Sequence, residues 1–430
     1  MFTLILALAV VGIGYWRFKD IPLDRDYAPY AYHTLHGGWL RDGHADIKPP
    51  LIHLVYSWAH ICYKTFSSIM TLPAWGSPAS FRAVPFAGIA LACISLHCYA
   101  PGSDLVCALL LVSPTMWMPM AATEWLTITL LASSAALASH PSTAILSLAV
   151  IGLLPWANQK NALLLPFLLL VPVFREACMT AGWVEGISAF LGPSLLILTW
   201  IVATGRLRYF WVLCWLVPKD FGRRRSLRGN ALIHAYLLRP CIVLMVPFLI
   251  AVNWLNPWAW VLVVMVALTI AAKQIMPVHF QPWLLALALA TEPTAGVFFG
   301  FGILWVLREA AVWMRPSLFY PVCFPGKNGV NYGHLIEDAD VVADWLADYT
   351  KPDEVIWVNS WDNNIYLTGK RKAWCFLLPE MIFEPEEGKE PPRVIIHGIG
   401  HLDFDYDKYG FLPAMTTPRG CYTVLVRRTT

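Results

Sequence analysis

Val184–Thr204 reads VEGISAFLGPSLLILTWIVAT, 21 residues with a single charge, Glu185, near its start. At ~1.5 Å of rise per residue such a run makes a helix about 30 Å long, the thickness of a bilayer's hydrocarbon core. Similar runs recur on both sides of it. Met1–Trp16, Leu51–Met70, Arg82–Tyr99, Leu105–Met120, Trp125–Ser139, Thr143–Trp156 and Ala162–Phe174 precede it; Ala231–Trp254, Trp258–Ala272, Gln281–Thr291 and Thr294–Trp313 follow. Together they predict a mainly α, polytopic transmembrane helix bundle of about 10–13 crossings. Pro114, Pro119, Pro155 and Pro166 interrupt the shorter runs and leave the parity of crossings open. Met1–Trp16 ends in Arg17-Phe18-Lys19-Asp20 without a small-residue cleavage site, so it reads as an uncleaved first span.

The composition agrees with this reading. The chain has 430 residues, 57% of them hydrophobic and 14% charged, too apolar for two or three soluble domains. The charge is divided unevenly: 20 Lys+Arg and 12 Asp+Glu lie before Tyr320, against 11 and 16 from there on. An apolar, net-basic body is therefore followed by a hydrophilic, net-acidic tail. A net charge of +3 argues against a nucleic-acid partner, which calls for a concentrated basic face. The 10 cysteines show no CxxC or zinc-ribbon spacing, and most sit in apolar runs as small buried hydrophobes.

The division predicts a transmembrane domain over residues 1–319 and a small soluble α/β domain over 320–430. In the tail, Leu335, Ala339, Val342, Trp345, Leu346 and Tyr349 recur at helical spacing between His334 and Tyr349. Short apolar runs follow at Val355–Val358, Val394–Ile396 and Tyr422–Val426, bounded by Pro, Gly and Asn, and these read as strands. No glycine-rich phosphate loop, GxSxG or HExxH motif occurs in the tail.

Two long polar interruptions break the body. Residues 205–230 carry seven basic side chains, among them Arg206 and Arg208, against one acid, Asp220. This loop is either cytoplasmic by the positive-inside rule or an interfacial segment that holds anionic head groups, since Tyr209-Phe210-Trp211 and Trp215 interleave with its charges. The first loop, residues 17–50, contains Asp24-Arg25-Asp26, Tyr30, Trp39 and Asp46-Ile47-Lys48-Pro49-Pro50. Asp26 stands where a helix of about three turns would begin, with Pro29 in the first turn and Gly37 at the end. A carboxylate there lies at the mouth of the bundle, between lipid and water. The bland alternatives are an N-cap for Asp26 and a snorkelling Lys48. The charges at both ends of one loop, closed by a double proline, favour a preset phosphate site instead.

Asp26-x-x-x-Tyr30-Ala31, Gly37-Gly38 and Arg41-Asp42…Asp46-x-Lys48-Pro49-Pro50 resemble the first external loop of bacterial glycosyltransferases of the GT-C class. These are polytopic enzymes related to protein O-mannosyltransferases and to lipid A aminoarabinose transferases. The match spans about thirty-five residues. Weaker echoes follow at Glu124, Gly205-x-Leu207 with Phe210-Trp211, Pro277-x-His279-Phe280, Ile356-Trp357-Val358, Tyr366 and Gly369-x-Arg371.

The resemblance implies inverting transfer of a sugar from a polyprenyl-phosphate donor to a hydroxyl acceptor on a glycan, lipid or protein. It places the reaction at the external face of a bacterial inner membrane, in cell-envelope glycosylation, with the first loop and tail outside. Asp26 is then the catalytic base or a metal contact, with Asp24 and Asp46 beside it, and Lys48 holds the donor phosphate. A divalent cation is the one cofactor this admits. Here Tyr27 and Ile47 stand where many relatives carry acids, which weakens metal coordination more than transfer.

The chemistry is consistent with these assignments. A polyprenyl phosphate is a weakly basic leaving group, so its growing charge must be met by cations rather than by a general acid. Lys48, Arg25, Arg82 and Arg206 can supply them, and a carboxylate can orient or deprotonate the acceptor hydroxyl. Tyr30, Trp39, Glu124 and His279 are the candidate substrate contacts: Trp39 offers a face to a pyranose, Glu124 begins an apolar segment, and His279 lies in a polar break. His33 and His36 at i, i+3 read as interfacial hydrogen-bonding groups. Lys160, in Asn158-Gln159-Lys160-Asn161, reads as a turn lysine facing water. The competing function is a transporter or flippase in which the same charges bind without reacting; no internal repeat of hydropathy supports it.

Overall fold

The computed structural model describes residues 1–19, 34, 48–111, 123–216, 249–271, 281–291, 332–360, 364–374, 390–398 and 404–428. It is mainly helical, with a small sheet domain at the C-terminal end.

The body begins with α1 (Phe2–Phe18), α2 (Pro50–Ser67), α3 (Pro78–Tyr99), α4 (Ser103–Leu111) and α5 (Glu124–Ala138). Local chemistry sets these boundaries. Pro49 is extended at φ −60° and ψ 158°, and Pro50 fills the first turn of α2, where a missing N–H costs nothing. The double proline thus starts the helix, as the sequence suggests. Ser77 caps α3, accepting a 3.3 Å bond from the Ser80 N–H, and Pro78 follows at the first position.

Next come α6 (Ala144–Gly152), α7 (Leu154–Ala157), a 3-10 turn (Gln159–Leu163), α8 (Leu165–Leu168), α9 (Pro172–Ala181) and α10 (Trp183–Ala203). Thr143–Trp156 and Ala162–Phe174, each read above as one apolar segment, are instead strings of short pieces. Pro155, Pro166 and Pro172 each sit in the first turn of a new helix, because a proline cannot continue the preceding one. Gly182 at φ 79° turns the chain into α10, a conformation that suits a residue without Cβ. The described body ends with α11 (Leu207–Trp211), a π turn (Val212–Leu216), α12 (Pro257–Ala271) and α13 (Gln281–Ala290).

Among the described residues, two helices are long and apolar enough to cross a membrane, Ala79–Tyr99 and Trp183–Ala203. The second leaves Trp183, Val184, Ile187, Leu195, Leu196 and Val202 more than half exposed, an apolar surface suited to hydrocarbon. Phe2–Trp16, Glu124–Ala138, Pro141–Ala157 and Pro257–Ala271 are apolar and shorter. The segment 231–254 lies mostly, and 294–313 wholly, outside the described residues.

Close backbone approach organises the body. α3 packs along α5, where Gly88 leaves room for the Trp125 ring and its carbonyl accepts a 3.0 Å bond from Thr129 Oγ1. α6 packs along α10, with Gly152 against the Phe190 carbonyl, so a Cβ at 152 would force backbone apart. Small residues at such crossings are how apolar helices gain contact when lipid offers the same hydrophobicity.

In the tail, α14 (Tyr332–Tyr349), β1 (Val355–Asn359), α15 (Asn364–Thr368), β2 (Lys372–Ala373), β3 (Val394–Gly398), β4 (Phe411–Thr416) and β5 (Tyr422–Arg427) form an α/β unit. The sheet order is β2-β1-β3-β5-β4, with β1 parallel to β2 and β3, and β5 antiparallel to β3 and β4. The side-chain period of two divides the strands. Ile356, Val358, Val394, Ile396 and Val424 pack with Ala339, Val342 and Leu346 of α14, while Trp357, Ile395 and Leu425 form a second cluster with Trp374 and Phe411.

Asp338 fastens α14 to the sheet. It is 1% exposed and accepts from Thr417 Oγ1 at 2.6 Å, the Cys421 N–H at 3.0 Å and the Arg419 N–H at 3.4 Å. Burial opposes its charge, but these donors outweigh burial and hold its carboxyl below the usual value. A depressed native pKa stabilises the fold fully above the unfolded value of about 3.9 and loses that contribution as pH falls through the native one. Hydrogen-exchange protection of α14 and β5 should therefore fall below about pH 4, by the ~1–3 kcal/mol of a charge-assisted network. Asp338→Asn should flatten that acid limb; an unchanged limb would remove Asp338 from the account.

Candidate functional site

Among the described residues of the body, one group of buried polar side chains gathers where α5 begins. Glu124 opens that helix, is 3% exposed, and puts its carboxylate into an otherwise apolar cluster. A lone carboxylate there would be costly, so the surrounding groups matter. The turn that follows α7 supplies them. Lys160 Nζ stands 4.0 Å from Glu124 Oε1; Asn158 Nδ2 lies 3.4 Å from the same oxygen and donates to Thr123 Oγ1 at 3.2 Å. Thr123 Oγ1 is in turn 3.4 Å from Glu124 Oε2. The three contacts to the carboxylate are longer than the 2.7–3.2 Å of strong hydrogen bonds.

The turn itself is rigid. Asn158 Oδ1 accepts from the Lys160 N–H at 3.2 Å, and Asn161 Nδ2 donates to Thr127 Oγ1 at 2.9 Å and to the Leu154 carbonyl at 3.0 Å. These bonds fix the backbone that carries Lys160. Across from the turn, Trp283 of α13 donates to Thr269 Oγ1 at 3.1 Å, and Thr269 donates to the Met265 carbonyl at 2.9 Å within α12. Between the two sides is a small cleft of about 30 Å³ that opens outward, lined by Glu124, Lys160, Asn158, Thr127, Thr269 and Trp283 among others. Its lining brings one carboxylate, one ammonium and several neutral hydrogen-bonding groups to one opening.

The same wall reaches the first loop. Gln159, next to Lys160, donates from Nε2 to the Cys214 carbonyl at 2.9 Å, and Cys214 Sγ lies 3.6 Å from the Lys48 carbonyl. Lys48 is half-buried directly before the Pro49-Pro50 start of α2, and α2 packs on α7. Three stretches far apart in sequence, around Lys48, Gln159 and Cys214, therefore meet one residue along the chain from Lys160.

Of the residues singled out from sequence, Glu124 lines the pocket, and Lys48 is linked to the Lys160 turn through its carbonyl contact with Cys214. Arg82 is 1% exposed one turn into α3, and Arg206 places its guanidinium 5.2 Å over the Trp200 ring; neither is among the described lining residues. Asp24, Arg25, Asp26, Tyr30, Trp39, Asp46 and His279 lie outside the described residues. Lys160 corrects the sequence reading. Its side chain is 26% exposed and faces a buried carboxylate rather than open water, because the tetrad lies in the turn between the short helices α7 and α8, which Pro155 and Pro166 begin. The signal in the sequence is Asn-Gln-Lys-Asn, a polar tetrad between two apolar runs. Thr127 and Thr269 carried no such signal.

The echoes in the tail have structural work. Tyr366 Oη accepts from the Val358 N–H at 2.8 Å. Arg371, 5% exposed, donates to the Leu346 and Gly369 carbonyls at 2.7 Å each and to Thr350 Oγ1 at 2.6 Å. It caps the end of α14, whose last carbonyls have no partner within the helix. No group of three His, Cys, Asp or Glu placed to hold a metal occurs among the described residues. No protein-family model matches the chain, and no curated protein sequence matches it.

Proposed function

We propose that this protein is a polytopic membrane glycosyltransferase of the GT-C type, transferring a sugar with inversion from a polyprenyl-phosphate donor to a hydroxyl acceptor. The observation that carries the reading is the shared wall: the Lys48-Pro49-Pro50 corner touches the Cys214 segment, which is hydrogen-bonded to the turn holding Lys160 opposite Glu124. A polar, ionic pocket with apolar surroundings, reached from a loop at the head of a helix, suits a substrate that is half isoprenoid and half sugar phosphate. Lys48 neutralises the departing phosphate, with Arg25, Arg82 and Arg206 as further cations. Asp26 orients or deprotonates the acceptor hydroxyl, flanked by Asp24 and Asp46. Tyr30, Trp39 and His279 contact sugar or acceptor. The setting is the external face of a bacterial inner membrane, with the tail on the same side, and a divalent cation at Asp26 is the one cofactor this arrangement admits.

The test is transfer of labelled sugar from a synthetic polyprenyl-phosphate donor by the purified protein. Lys48→Ala should raise the donor KM by about tenfold or more, the equivalent of a lost charge-assisted hydrogen bond, and leave the acceptor KM within about twofold. Equal effects on both substrates would remove its phosphate role. A transporter is the second reading, favoured by the buried Glu124–Lys160 pair, since ionisable groups inside apolar helices also mark ion pathways. Solute flux through reconstituted protein, with no cleavage of any polyprenyl-sugar bond, would establish it instead.

A further inference from the structure

We infer that Lys160 is a second cation for the donor's phosphate, and that Glu124 is its resting counter-ion, which the incoming anion displaces. The inference rests on the proposed polyprenyl-phosphate chemistry and adds to it a residue on a different element from the first loop.

Four observations lead there. First, Lys160 Nζ and Glu124 Oε1 are 4.0 Å apart, an ion pair at the outer edge of direct contact. Second, the two partners are unequally accessible: the lysine side chain is 26% exposed and the carboxylate 5%, so a ligand in the pocket meets the ammonium first. Third, Glu124 is not stranded when Lys160 leaves it, because Thr123 Oγ1 and Asn158 Nδ2 both stand 3.4 Å away and can close on it. Fourth, Gln159 beside Lys160 donates to the Cys214 carbonyl, and Cys214 Sγ lies 3.6 Å from the Lys48 carbonyl, so the backbones that carry the two lysines are linked through one intermediate segment. A phosphate held by one flexible ammonium is free to rotate about it, and a second ammonium from a separate segment restricts it.

The exchange has a physical rationale. In the empty pocket a bare ammonium would be costly among apolar helices, and the carboxylate offsets that cost. An arriving phosphate competes for the same cation and leaves Glu124 as a carboxylate facing the sugar, where it can accept a hydroxyl hydrogen bond. Glu124 is thus a positioning residue for Lys160 before binding and a substrate contact after it.

The experiment measures binding to the full-length protein in detergent, using a long-chain polyprenyl phosphate and the corresponding uncharged polyprenol as probes. The wild type should bind the phosphate at least tenfold more tightly than the alcohol. Lys160→Met should lose about ten- to a hundredfold for the phosphate, the range of one hydrogen bond to a charged group, with the alcohol unchanged. Lys160→Arg should retain most of the affinity, which controls for folding. Glu124→Gln should bind the phosphate as tightly as the wild type or more tightly, since it frees the cation, while transfer falls. Phosphate binding by Lys160→Met at the wild-type level, or equal losses for phosphate and alcohol, would overturn the role of Lys160 and leave the proposed function standing. Weakened phosphate binding in Glu124→Gln would overturn the counter-ion exchange. A wild type that fails to prefer phosphate over alcohol would sink the inference together with the reading on which it rests.

Discussion

Asp26→Asn should abolish sugar transfer while the protein stays abundant and correctly inserted. Asparagine matches aspartate in size and can still cap a helix, so the exchange preserves the local fold. It removes the one property that the mechanism needs, an acceptor able to take or orient a hydroxyl proton as the anomeric carbon gains positive character. General-base catalysis contributes about 10²–10⁴ in rate, or ~3–5 kcal/mol of barrier, so turnover should fall by that factor with donor binding nearly unchanged. Single-turnover transfer from a labelled donor separates the two. Full transfer by the asparagine variant would refute the assignment, and loss of donor binding without a change in the chemical step would make Asp26 a binding group.

The second large effect concerns stability. Lys160→Met should lower the thermal midpoint in detergent, because it removes the ammonium 4.0 Å from the buried Glu124 carboxylate. Breaking a buried pair costs roughly 3–5 kcal/mol, and this is an upper bound here, since water can reach part of the vacated space and Thr123 Oγ1 and Asn158 Nδ2, each 3.4 Å away, can close on the carboxylate. The double variant Glu124→Gln/Lys160→Met should recover most of the loss, as a neutral amide beside Thr123 and Asn158 has partners and no charge to compensate. Additive losses in the double variant would show that the pair is not a thermodynamic unit. This cycle uses no substrate and is independent of what the protein catalyses.

The tail was the most legible part of the chain. Its helix and three of its strands stand where alternation and helical spacing put them, because each element buries one face against the others and the sequence records that burial directly. β2, β4 and α15 were missed. β2 has two residues, too few for a pattern, and β4 keeps Leu412 exposed, so neither carries clean alternation. In the body, long apolar runs gave the long helices. Thr143–Trp156 and Ala162–Phe174 read as single apolar segments interrupted by proline, and the structure divides them into short pieces because Pro155, Pro166 and Pro172 each begin a new helix.

By itself the sequence determined the mainly helical body, the α/β tail and the double-proline start of α2, since hydropathy, periodicity and a missing N–H act within a few neighbouring residues. Only the tertiary structure decided that Lys160 faces Glu124, and that Lys48, Gln159 and Cys214 adjoin. Those contacts join segments more than 30 residues apart, and a lysine in a polar turn has the same local sequence whether it meets water or a buried carboxylate. Its surroundings are fixed by how the helices pack, which no short window of sequence encodes.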